Sequence, residues 1–167
     1  MDDELIHQIN SMVGENDILW HLGDFSMHHH SDRGYYQRCR GIRDRIRCKN
    51  INIIWGNHDD FEIRDLFGEA YGLKDLRIQG GPMIVLCHYA MAVWNKSHRG
   101  SFHLYGHSHS SAEPWLEENM PGRKSMDAGV DNAALILGAY RPWSYAEILD
   151  IFSKRSGHSM DHHKPRR

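Results

Sequence analysis

The stretch Ile51-Asn52-Ile53-Ile54-Trp55-Gly56-Asn57-His58-Asp59 decides the fold, because an apolar run stops at a glycine and hands over directly to three polar side chains. A run this short, ended by a breaker, reads as a buried strand of a sheet covered on both faces. The same order recurs along the chain. Upstream, Ile18 to Leu22 is an apolar strand stopped by Gly23-Asp24; downstream, Pro82 to Cys87 ends in His88, and Phe102 to Tyr105 ends in Gly106-His107-Ser108-His109. Side chains at the carboxyl ends of neighbouring strands converge on rigid supports, and ligands of open α/β sheets bind there. Asp24, Asn57, His58, His88, His107 and His109 are therefore expected to meet, with Gly23, Gly56 and Gly106 giving the tight exits.

Outward from these strands, Leu5, Ile6, Ile9, Met12 and Val13 recur at helical spacing behind Asp2, Asp3 and Glu4, which suit the positive end of a helix dipole. Tyr35, Cys39, Ile42 and Ile46 mark a second amphipathic helix with an Arg-rich outer face. Leu76 and Ile78 alternate before Gly80-Gly81, so a hairpin into the Pro82 to Cys87 strand is expected. Met126 to Val130 and Ala134 to Ala139 read as two further strands. Ser144 and Glu147 form a capping box that opens a helix buried through Ile148, Leu149, Ile151 and Phe152. The expectation is one α/β domain over residues 1–155 and a polar tail over 156–167.

Composition narrows the function. A chain of 167 residues suffices for one domain with a core of its own. Its net charge of -2 and pI near 6.7 disfavour general electrostatic capture of nucleic acid, which enters only as a substrate. Apolar runs fall far short of the ~20 residues that cross a bilayer, so no membrane partner is expected. Three cysteines, Cys39, Cys48 and Cys87, cannot all pair within the chain, which points to a reducing cytoplasm. The unusual count is 14 histidines, the side chain best suited to metal ligation and proton transfer near neutral pH.

The ordered set mixes carboxylate oxygen, amide oxygen and imidazole nitrogen without thiolate. It suits divalent Mn, Fe, Zn, Co or Ni in a Lewis-acid role better than a structural zinc, and a phosphate ester is the natural electrophile for hydrolysis at a two-metal site.

In order and separation, Gly23-Asp24, Gly56-Asn57-His58-Asp59, His88 and Gly106-His107-Ser108-His109 resemble the calcineurin-like metallophosphoesterases, in particular their small bacterial and phage members, to about Asp150. The resemblance implies a two-sheet sandwich flanked by helices (αββα) and hydrolysis of phosphate monoesters or diesters. It implies that Asp24 bridges two metals, that Asn57, His88 and His107 complete the second site, and that His109 belongs to the first. His58 would hydrogen-bond a phosphate oxygen or protonate the leaving alkoxide, with Asp59 as its orienting partner.

The family's opening strand, ending in Asp-x-His, has no counterpart before Asp24. Two expectations follow: one metal held tightly and a second weakly, and a chain shortened at its N-terminus. Lacking that strand, copies are expected to pair through exposed strand edges as homodimers. The alternative is a non-catalytic or weakly active single-metal relic of the same fold, acting as a binding or scaffold protein. Asn57, His58 and Arg99 are candidate contacts to a small phosphoester or nucleotide-like substrate. For Arg99 and its neighbours Trp94 and His98, a packed tryptophan and a solvated surface are the alternative. His28, His29 and His30, like His158, His162 and His163, read as solvated loop and tail rather than a further metal position.

Overall fold

The computed structural model describes residues 2–27 and 31–157, so the six loop and tail histidines just named lie outside the described residues. The elements in chain order are α1 (Asp2–Met12), β1 (Ile18–His21), α2 (Tyr35–Arg45), β2 (Asn50–Ile54), a 3-10 turn (Phe61–Leu66), β3 (Ala70–Tyr71), β4 (Leu73–Arg77) and β5 (Met83–Cys87). A second 3-10 turn (Ser97–Arg99) precedes β6 (Phe102–Tyr105), α3 (Glu113–Asn119), β7 (Ser125–Asp127), α4 (Val130–Leu137) and α5 (Tyr145–Ser153).

These strands form two sheets, and the chain is α/β. One sheet is parallel, in the order β1-β2-β3; the other runs β4-β5-β6-β7, with β4 antiparallel to β5 and the remaining pairs parallel. Alternation along the strands sorts the apolar residues into two clusters. Leu19, Ile51 and Ile53 face α1, α2 and the first 3-10 turn, where Ile6, Tyr35, Cys39 and Ile63 are buried. Trp20, Leu22 and Ile54 face the other way and meet Ile84, Leu86, Phe102, Leu104 and Met126 of the second sheet, a cluster that Ile148 and Phe152 of α5 join. Behind β6, Tyr105 packs with Leu116 and Met120 at α3.

The hairpin is as expected, with Leu76 opposite Ile84 and Gly80 at φ 74 in the turn. The capping box at Ser144 and Glu147 is also present. The reading of 126–139 as two strands needs correction: β7 ends at Asp127, and Val130–Leu137 is a helix. Gly129 is extended before its first turn, and Gly138 closes it in the left-handed conformation at φ 76, a common helix stop. Neither β3 nor α3 was expected; Pro114, in the first turn of α3, was its available signal. At the other end, the Gly157 N–H donates to the Gly122 carbonyl, so the polar tail's first two residues are tied to the domain. Among the described residues no helix is long and apolar enough to cross a membrane, and all three cysteines are free.

His103 on β6 is fully buried. Its Nδ1 pairs with the Val85 carbonyl at 3.0 Å and its Nε2 accepts the Met91 N–H at 3.2 Å, which uses both nitrogens of the neutral ring. Burial lowers its pKa to about 4 and, against the pull of Asp59 and Asp24, also lowers that of His21. The unfolded chain takes up these protons near pH 6.5 while the folded chain refuses them, so stability is fully present above that pH and falls towards pH 4. For His103 the loss reaches about 3 kcal/mol. Urea midpoints measured between pH 7 and pH 4.5 should fall more steeply in wild type than in His103→Asn, and parallel curves would contradict this.

Candidate metal centre

Two strand exits of the first sheet touch. Gly23 (φ 97) leaves β1 so close to its neighbours that a Cβ there would lie 2.4 Å from His88 Nδ1 and 2.7 Å from the Gly56 backbone. A Cβ on Gly56 would lie 2.2 Å from Asp24 Oδ1. No other residue fits either position without moving the candidate ligands.

Asp59 fastens this contact. One carboxylate oxygen accepts the N–H groups of Asp24 and Gly56, each at 2.8 Å, and the other accepts the Phe25 N–H at 2.7 Å. Both oxygens accept backbone N–H groups, so Asp59 clamps the two strand exits together, a role beyond its expected one as a partner of His58. His58 is held by its own N–H, which donates to Asp24 Oδ1 at 2.9 Å, while its side chain is exposed.

The second sheet supplies the rest. His88, only 2% exposed, lies at the end of β5, and its Nδ1 is 2.7 Å from the Leu22 carbonyl. A carbonyl only accepts, so Nδ1 carries the proton and Nε2 of the neutral ring presents a lone pair. That lone pair faces Asn57 Oδ1 at 3.1 Å, His107 Nδ1 at 3.1 Å and Asp24 Oδ2 at 3.3 Å. The ligand atoms of Asp24, His88 and His107 all fall within 4.8 Å of one another, close enough for one metal ion to reach all three. With Asn57 Oδ1 beside them, these residues offer a carboxylate, an amide oxygen and two imidazoles, a donor set that could hold a metal ion. The N–H groups of Gly106 and His107 both donate to the His88 carbonyl, and Tyr89 packs edge-on against both rings.

His109 lies outside this group. It adopts φ 46, and its Nδ1 is 2.6 Å from Asp131 Oδ2 in the first turn of α4. Asp127 fixes the loop between: Oδ2 accepts the Ser108 hydroxyl at 3.0 Å and the Ser110 N–H at 2.9 Å, and Oδ1 accepts the Gly129 N–H at 2.7 Å. Arg99 is exposed on the turn before β6, so the length of that strand, about 13 Å, separates it from the cluster at the strand's far end. Trp94 is packed, its indole N–H donating to the Ser101 carbonyl at 3.1 Å.

Sequence reasoning passed over His21, Asp127 and Asp131. His21 ends β1, its ring edge-on to Phe25 with centroids 5.2 Å apart, and its buried Nδ1 has no hydrogen-bond partner among the described residues. A histidine closing an otherwise apolar strand, three residues before Asp24, was the available signal.

No family model matches the chain, and no curated protein matches it. Among solved structures it is similar to a protein of unknown function from Aquifex aeolicus, at 20% identity and a TM-score of 0.65 over 90% of this chain and 84% of that one. That likeness supports the fold alone.

Two outcomes are expected. Asp59→Asn replaces a triple acceptor with a group whose amide N–H₂ faces donors, and should lower stability by about 1–3 kcal/mol in a urea melt; an unchanged midpoint with an altered pH profile would favour the orienting role alone. On the metal side, His107→Ala should release more ion than His109→Ala by elemental analysis, and equal losses would remove the distinction between the two histidines.

Proposed function

We propose that the protein is a metal-dependent phosphoesterase of the calcineurin-like kind, hydrolysing phosphate monoesters or diesters. The observation that carries the reading is the convergence of Asp24, Asn57 and His107 on the lone pair of His88, with His58 exposed beside them. The order of those residues along the chain supports the family.

Asp24, Asn57, His88 and His107 would hold a divalent ion, whose bound presence supplies Lewis-acid activation of water and of the phosphoryl group. The chain's own residues do the remainder. His58 is placed by the contact between its N–H and Asp24, and its imidazole would act beside the cluster. There it donates a hydrogen bond to a phosphate oxygen and gives a proton to the leaving alkoxide. Asp59 keeps Asp24 and the Gly56 exit in register, and the Leu22 carbonyl keeps the proton of His88 on Nδ1.

One observation favours the second reading, a single-metal relic acting as a binding or scaffold protein: His109 is turned to Asp131, outside the group. Metal stoichiometry together with turnover separates the two. Bis-p-nitrophenyl phosphate and p-nitrophenyl phosphate should be hydrolysed with added Mn, with Asp24→Asn and His58→Ala reduced at least about a hundredfold. Equal rates in all three proteins would end the enzymatic assignment, and one retained ion with no turnover would establish the relic.

A further inference from the structure

An open cleft of about 600 Å³ lies at the His109–Asp131 pair, lined also by Ala134, Leu135, Gly138 and Tyr140. Its composition is divided. At one end the His109–Asp131 pair is polar; along the other, α4 turns Leu135 (76% exposed) and, just past its end, Tyr140 (50%) towards solvent. Neither contributes to the core clusters, although large apolar groups left open beside a polar site commonly mark a binding surface. The polar end adjoins the loop that carries the metal centre's His107, since His109 is two residues further on and the two α-carbons lie at most about 7 Å apart.

We propose that this cleft seats the organic group of the phosphoester, and that the group is a flat apolar one, an aryl or heteroaryl ring. The proposal rests on the phosphoesterase reading and narrows its substrate class. A phosphoryl group at Asp24, His88 and His107 places its ester substituent within one ring's reach of His109. The wall then offers Tyr140 for aromatic contact and Leu135 for apolar contact. A second copy of the chain fits this surface poorly. Covering the cleft with protein would strip water from the His109–Asp131 pair, and a ring-sized wall is small beside the ~800 Å² per partner of a stable interface.

The test uses the full chain loaded with Mn and two inert probes, phenylphosphonate and methylphosphonate, titrated by calorimetry. Phenylphosphonate should bind about tenfold more tightly, and Leu135→Ser with Tyr140→Ala should erase that ratio. Equal affinity of the two probes, or a ratio that survives in the double variant, would overturn the proposal. So would a double variant that converts a dimer to a monomer in sedimentation while the ratio persists, because the cleft would then be a seam between copies. His107→Ala separates this proposal from the reading beneath it: the variant should weaken both probes alike and leave the ratio intact. If it weakens neither, the metal reading fails while the phenyl-to-methyl ratio still decides the cleft.

Discussion

One carboxylate gathers the three backbone N–H groups on which the candidate centre depends. Asp59 takes the amides of Asp24, Phe25 and Gly56, and so ties the exit of β1 to the exit of β2. The two loops can approach because Gly23 and Gly56 carry no side chain. Asp24 is left at φ 55, a left-handed conformation that costs an aspartate about 1 kcal/mol and that charge-assisted hydrogen bonds of this number readily offset. Asp24, Asn57 and His58 thereby come from two strands yet act as one rigid edge.

The second sheet meets that edge through the cluster between the sheets. Leu86 pairs with Leu104 in the parallel register of β5 and β6, which brings the two carboxyl ends level. The His88 carbonyl then receives the N–H groups of both Gly106 and His107, extending the pairing past the strands. Apolar packing of Trp20, Leu22 and Ile54 against Leu86 and Leu104 sets the height at which His88 reaches the Leu22 carbonyl. Burial thus fixes the protonated nitrogen of a candidate ligand, a link from core packing to site chemistry that depends on backbone rather than on further side chains.

Strand exits carried the legible part of the site, because a glycine followed by a polar residue after an apolar run has one strong structural reading. Asp24, His88 and His107, which the structure brings within reach of one another, stood out in this way, whereas the parallel pairings that bring them together did not. Roles set by contacts distant in sequence were not legible. Asp59 beside His58 looks like a catalytic partner, and its backbone donors, up to 35 positions away, are not visible in that adjacency. The Val130–Leu137 segment was misread because a short apolar run has no period that separates strand from helix, and two of its large residues face solvent instead of a core. The left-handed Gly138 after it held the better information.

The His107 loop rests on a buried charge network of its own. Arg123 is 0% exposed, paired with Glu113 at 3.0 Å and Glu117 at 2.8 Å, and bonded to the Tyr105 hydroxyl, which itself donates to Glu113. Glu113 also accepts the N–H of Asp127, whose carboxylate holds Ser108 and Ser110. Burial raises the pKa of Asp127, and its N–H and hydroxyl donors work against that rise. Buried ions are a poor source of stability by themselves. Here the network closes a loop in which His109 and Ser110 are both left-handed, at φ 46 and φ 67, a conformation that apolar packing alone has no directional means to enforce. The loop's position on β6 and β7 is therefore fixed by hydrogen bonds with defined directions, and it is from this loop that His107 reaches His88.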